Sequence, residues 1–131
     1  ADFIGTMNFL PAKILKESGG KVEVDAQGFG KITLDAAQVM SAEGSAGGAT
    51  VGFRPETLTI LFDGQKPSDS ESEAVVEEVV YYGDMTYYDI RLKGCDSTAR
   101  LSMRNVFGRP VLDIGTKTRV AWSPGALVLF R

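Results

Sequence analysis

One hairpin constrains this chain more than any other feature. Val75-Val76-Glu77-Glu78-Val79-Val80-Tyr81-Tyr82 leads into Gly83-Asp84, and Met85-Thr86-Tyr87-Tyr88-Asp89-Ile90-Arg91-Leu92 leads away. Both arms are rich in β-branched and aromatic residues, which fit a pleated, half-buried surface. Gly83 supplies the positive φ that a type II′ turn needs at its first central position. Two registers stay open. A two-residue turn sets Glu78 opposite Asp89, two like charges, whereas a three-residue turn sets Glu77 opposite Arg91, a favourable pair.

The rest of the chain repeats the theme of short alternating runs between turn residues. Phe9 to Leu15 reads as a strand interrupted at Pro11, and hence as an edge or a bulge. Val22 and Val24, then Ile32 and Leu34, point inward from two strands joined by Gln27-Gly28-Phe29-Gly30. Residues 41–48 are small and glycine-rich and read as a loop. Val51 and Phe53 share a face, Pro55 ends that strand, and Leu58, Ile60 and Phe62 alternate after it. Residues 63–73 read as a polar loop. Beyond the hairpin, Ala99, Leu101 and Met103 share one face, as do Thr118, Val120 and Trp122; residues 127–130 form a last short strand. No capped helix of three turns is visible. The spacing predicts an all-β barrel or sandwich.

At 131 residues, the chain suffices for one compact domain or for two small barrels sharing a core. Its 44% hydrophobic and 24% charged residues are ordinary for a globular protein. No apolar run approaches the roughly 20 residues of a membrane span. The start, Ala1-Asp2-Phe3-Ile4-Gly5, has no secretory leader and reads as the continuation of something longer. A single cysteine, Cys95, precludes an internal disulfide and fits a reducing compartment. A net charge of −3 argues against nucleic acid as the partner.

Histidine is absent, which removes the commonest metal ligand and the commonest general base near neutral pH. Gly20-Lys21 and Gly30-Lys31 lack the Ser or Thr and the upstream glycine of a phosphate-binding loop, and Gly28-Phe29-Gly30 joins strands instead of opening a helix. Glu77, Glu78, Asp84 and Asp89 read as a solvated sheet face before a carboxylate pair. No metal-ligand spacing is present. The four tyrosines of the hairpin read as half core and half interface before a base- or sugar-stacking platform. Trp122, in phase with Val120, reads as core.

Three segments together resemble a TOBE domain, the small barrel found at the C-terminus of ATP-binding subunits of bacterial ABC importers. They are Val51-Gly52-Phe53-Arg54-Pro55-Glu56, the run from Val75 to Asp84, and the run from Val120 through Trp122-Ser123-Pro124-Gly125 to Phe130. The opening Phe3-Ile4-Gly5-Thr6-Met7-Asn8-Phe9-Leu10-Pro11 is similar to the segment after the nucleotide-binding domain in the maltose, polyamine and iron groups, and the aromatic hairpin with Trp122 looks closest to the polyamine and iron groups. The resemblance covers essentially the whole chain, with residues 1–48 as first strands and loop and 49–131 as the main barrel.

The resemblance implies an OB-like barrel, or barrels, of short antiparallel strands. It also implies a non-catalytic regulatory and dimerisation role, in the cytoplasm and peripheral to the inner membrane. The expected partners are a second copy, the nucleotide-binding domain and, indirectly, the membrane subunits, with ATP and magnesium held in that other domain and no cofactor in this one. The residues expected at the partner surface are Tyr81, Tyr82, Asp84 and Tyr87. The alternative is a module for a small anion or sugar, with Arg54 as a ligand.

Overall fold

The computed structural model describes residues 7–40, 48–62 and 70–131. The opening run Phe3-Ile4-Gly5-Thr6 and most of the two expected loops, 41–48 and 63–73, lie outside the described residues. Eleven strands follow in chain order: β1 Asn8–Ser18, β2 Lys21–Ala26, β3 Gly30–Asp35, β4 Val39–Met40, β5 Ala49–Phe53, β6 Thr59–Leu61, β7 Glu71–Tyr82, β8 Met85–Leu92, β9 Ala99–Arg104, β10 Lys117–Ala121 and β11 Val128–Phe130. The only helical pieces among the described residues are 3-10 turns at Ala36–Gln38, Pro55–Thr57 and Pro124–Ala126.

The strands make two curled sheets. One has the order β3-β2-β1-β5-β11-β4 and the other β6-β10-β7-β8-β9. Every neighbouring pair is antiparallel except β4 with β11, where Val39 lies beside Leu129. The sheets interleave along the chain. A division at 48/49 falls between β4 and β5, which share a sheet, and the chain's last strand returns to the sheet that holds its first. Gln38 fastens this return: its side-chain amide donates to the carbonyls of Pro124 and Leu127, each at 2.8 Å. The architecture is the all-β, OB-like fold that the spacing and resemblance predict.

Alternation explains the core. Val22, Val24, Ile32 and Leu34 are buried as expected, and so are Val51, Phe53, Leu58, Ile60, Leu101 and Val120. Side chains of both sheets join in one apolar cluster, and each large side chain in it contributes on the order of 1.5–3 kcal/mol by burial. Phe29, from the β2–β3 turn, stands edge-on to Phe53 at 5.2 Å and to Trp122 at 4.7 Å, so an aromatic trio bridges the sheets.

Two expectations need correction. Pro11 does not interrupt β1, which runs on to Ser18 in mid-sheet. β5 pairs with Asn8 through Ala12 and β2 with Ala12 through Ser18, so Pro11 has a strand on one side only, and its missing N–H breaks no ladder bond. The polar stretch ending at Glu73 is not all loop. Glu71, Ser72 and Glu73 open β7, because each pairs with β10 and Arg119 binds Glu71 at 2.7 Å.

Candidate functional site

The β7–β8 hairpin lies inside the second sheet, between β10 and β9. Gly83 has φ +70°, and among the described residues no residue type but glycine adopts positive φ, so Asp84 does not, which fits a two-residue turn of type II′. Tyr82 pairs with Met85, and Glu78 indeed lies opposite Asp89. A bulge between Val76 and Glu78 then shifts the register. It delivers Glu77 to Arg91, with Nε to Oε2 at 2.6 Å, while Asp89 finds Arg100 on β9 at 3.0 Å. Of the two registers weighed from sequence, the two-residue one is realised; before the bulge Val75, not Glu77, lies opposite Arg91, so the Glu77–Arg91 pair forms through side chains without the three-residue register.

These pairs set the local electrostatics. The hydrogen bonds from Arg91 hold the Glu77 carboxyl below its ordinary 4.5, charge attraction adds to this, and partial burial opposes it. Arg91 is raised in turn, chiefly by the same hydrogen bonds. The Asp89 hydrogen bond likewise raises Arg100.

Asn105, the residue after β9, braces the turn. Its side chain donates to the Gly83 carbonyl at 2.7 Å and its backbone N–H to the Asp84 carbonyl at 2.8 Å. Its side-chain oxygen accepts from the Thr86 hydroxyl at 2.5 Å. Thr86 is the one fully buried polar side chain among the described residues. No periodicity marks Asn105, since its role exists only once β8 and β9 are paired.

The four tyrosines divide. Tyr88 is buried, and its hydroxyl accepts from the Leu112 N–H at 3.2 Å. Tyr87 is half-buried and meets Tyr82 edge-on at 5.6 Å. Tyr82, Asp84, Met85 and Tyr87 line a shallow depression of about 210 Å³. Tyr81 lies in the opposite phase and yet is 61% exposed, because the hairpin end overhangs the core. The structure therefore groups three of the four expected surface residues and sets Tyr81 behind them. Trp122 is buried, as its phase predicts, and its indole N–H donates to Ser72 Oγ at 3.0 Å.

A second concavity, of about 350 Å³, lies at the other end of the hairpin. Glu73, Arg91, Lys93, Cys95, Lys117 and Thr118 are among its walls, so three cations face one carboxylate. Lys93 reaches Glu73 at 3.1 Å, and Lys117 has no ion pair among the described residues. Burial pushes the Cys95 thiol above its ordinary 9.0, with Asp96 adding to the rise and Arg91 opposing it, so it is a poor nucleophile at neutral pH. Arg54 does not line this groove; it is exposed and caps the Pro55–Thr57 turn. Among the described residues no cluster of acidic or sulfur ligands could hold a metal ion.

Comparison with known proteins places these features in a family context. The TOBE domain family matches residues 51–130. The spermidine/putrescine import ATP-binding protein PotA 2 of Pseudomonas aeruginosa is 29% identical over 125 residues, covering 93% of this chain and 33% of that protein. The protein of the same name, PotA, from Thermobifida fusca is 27% identical over 124 residues, covering 95% and 31%. The chain thus spans about a third of the length of these relatives. Among solved structures, the cytoplasmic molybdate-binding protein ModG, with molybdate bound, superposes with a TM-score of 0.61 at 16% identity, over 95% of this chain and 94% of that one.

Proposed function

The chain belongs to the TOBE domain family, and from that premise we propose that it is the regulatory and dimerisation domain of an importer's ATP-binding subunit, of the polyamine type. The observation that carries this reading is an alignment along 93% of the chain with a protein named for spermidine and putrescine import. The domain itself is non-catalytic in this reading; ATP and magnesium belong to the remaining two-thirds of such a subunit. It works at the cytoplasmic side of the membrane and reaches the membrane subunits through the nucleotide-binding domain. Among the described residues no helix is long and apolar enough to cross a membrane. The surface around Tyr81, Tyr82, Asp84 and Tyr87 supports self-pairing, because tyrosine offers large contact area with a polar tip and few torsions to freeze.

The test is a graft. This chain replaces the matching third of the Pseudomonas aeruginosa relative in cells lacking that subunit, and uptake of labelled putrescine is measured. Restored uptake is expected. A graft that folds and hydrolyses ATP yet leaves uptake absent overturns the polyamine reading.

A second reading, a small-anion module, has one observation in its favour: the groove with Arg91, Lys93 and Lys117 against Glu73 in a fold shared with a molybdate-binding protein. Molybdate or sulfate at 100 times its dissociation constant would add about 2.7 kcal/mol of stability. A melting temperature unmoved by millimolar anion overturns this reading.

A further inference from the structure

Among the described residues, one edge of β7 is bare over its last third. β10 pairs with β7 only from Glu71 to Val75. The turn before β10 adds two more bonds, from the Val76 N–H to the Thr116 carbonyl at 2.9 Å and from the Gly115 N–H to the Val76 carbonyl at 2.7 Å. Past the bulge, β7 continues against β8 alone. Beside a two-residue turn, Tyr82 and Met85 form a hydrogen-bonded pair, and alternation makes Val80 and Glu78 the other β7 residues whose amides face β8. The N–H and C=O groups of Val79 and Tyr81 therefore point the other way, where they meet no partner among the described residues. Such an edge templates another strand, and folds commonly blunt it with lysine, proline or a covering segment. Val79-Val80-Tyr81-Tyr82 carries none of these residues, and Val80, Tyr81 and Tyr82 are 43%, 61% and 57% exposed.

We propose that this edge pairs with the same edge of a second copy, antiparallel, about a two-fold axis at Val80. The inference rests on the self-pairing reading above and specifies its geometry. In this register Val79 faces the second copy's Tyr81, and those two pairs exchange four backbone hydrogen bonds. Each match sets a β-branched side chain against an aromatic one, a favourable cross-strand pair. Glu78 falls opposite Tyr82, so no like charges meet. A register centred nearer the turn than Val80 runs off the strand, and one centred nearer its start draws in the bulge at Glu77, whose backbone leaves the line. The occupant is a second copy because the four residues are uncharged and self-complementary, and an isologous contact closes at two with only one such patch. The result joins both hairpin sheets into one continuous sheet.

Sedimentation equilibrium of the 131-residue chain at several loadings tests this, together with amide hydrogen exchange at low and high concentration. A mass that rises with loading is expected, with the Val79 and Tyr81 amides slowing as it rises and the Tyr87 amide, already in the ladder, unchanged. Tyr81→Pro removes an outward donor and no bond to β8, so it should give a monomer with an unchanged circular dichroism spectrum. Should that variant fail to fold, the exchange rates in the unmodified chain decide. If pairing survives Tyr81→Pro, the Val79 and Tyr81 amides of the unmodified chain exchange fast at every loading, and pairing is lost in Tyr82→Ser with Tyr87→Ser, the contact is through the sheet face. That outcome overturns the edge geometry and leaves self-pairing intact. A monomer at every loading of the unmodified chain overturns both.

Discussion

The β2–β3 tip and the β7–β8 tip are made of similar parts and end in opposite surroundings. Each has a glycine at positive φ, Gly28 at +84° and Gly83 at +70°, with aromatic side chains beside it. Around Gly83 a Cβ would meet nothing within 4 Å. At Gly28 it would come within 2.7 Å of the Leu92 side chain and 2.9 Å of Cys95 Sγ. Phe29 is buried between Phe53 and Trp122, whereas Tyr82 is largely exposed. The first tip locks the two sheets together: Ser72 Oγ donates to the Gly28 carbonyl and accepts from Trp122. The second overhangs the core and offers its surface outward. Turn chemistry alone does not decide which tip becomes a lock, since that depends on what the rest of the chain brings to it.

Breaking the lock should have the largest effect. Trp122→Ala removes the ring under Phe29 and the donor to Ser72, and large aromatic truncations in a core cost about 3–5 kcal/mol. Urea denaturation would measure it. A loss below about 1 kcal/mol, the scale of a surface substitution, would mean that the closed tip is not held by this contact.

A matched pair of substitutions sharpens the contrast. Gly28→Ala and Gly83→Ala both force alanine into the left-handed region, at about 1 kcal/mol. At Gly28 the new methyl also drives into Leu92 and Cys95, and overpacking adds about 1–3 kcal/mol. Expected losses are therefore about 2–4 kcal/mol at the closed tip and about 1 kcal/mol at the open one. Equal losses in thermal melts would show that Leu92 yields freely and that the tips differ only in exposure.

The same contrast shows what was legible beforehand. Val22 with Val24, Ile32 with Leu34, and Val120 with Trp122 reveal their faces by alternation, because a strand has a period of two. The hairpin turn is local as well, so Gly83 could be read directly, while the choice between a two- and a three-residue turn stayed open. The clash awaiting a side chain at Gly28 could not, since Leu92 lies far along the chain and arrives only with the second sheet. Nor could the bulge at Glu77, which lets Glu77 reach Arg91 although the ladder follows the two-residue turn, or the parallel seat of β11 beside β4. Of the candidate surface, the grouping of Tyr82, Asp84 and Tyr87 follows from the hairpin. The groove at Lys93 and Lys117 needs β10 beside β7, which no local signal announces.

Asn105→Ala tests the brace on the open tip. It removes two side-chain hydrogen bonds, keeps the backbone one to Asp84, and leaves the buried Thr86 hydroxyl without its acceptor. An unsatisfied buried polar group costs about 1–3 kcal/mol. Amide exchange should quicken at the Gly83 turn and stay slow at Gly28. Quickening at both tips would mean that the two ends are coupled through the core.

The smallest expected effect lies at the bulge, where the open tip leaves the body of the sheet. Arg91 holds the Glu77 carboxyl below its ordinary 4.5 in the fold. A depressed folded value means that the ionised form stabilises the native state. The contribution is fully present above the unfolded value of 4.5 and is lost as pH falls through the folded one. Glu77→Gln should therefore be slightly less stable than the unmodified chain at neutral pH, with the gap closing in acid. High salt should narrow the gap too, since both side chains are partly exposed. Glu78→Gln supplies the contrast one residue on. Glu78 faces Asp89 across the ladder, so removing its charge relieves a like-charge pair and should be neutral or slightly stabilising at neutral pH. If the two glutamines behave alike, the bulge does not separate a paired carboxylate from an unpaired one, and Glu77 does not owe its partner to the shift in register.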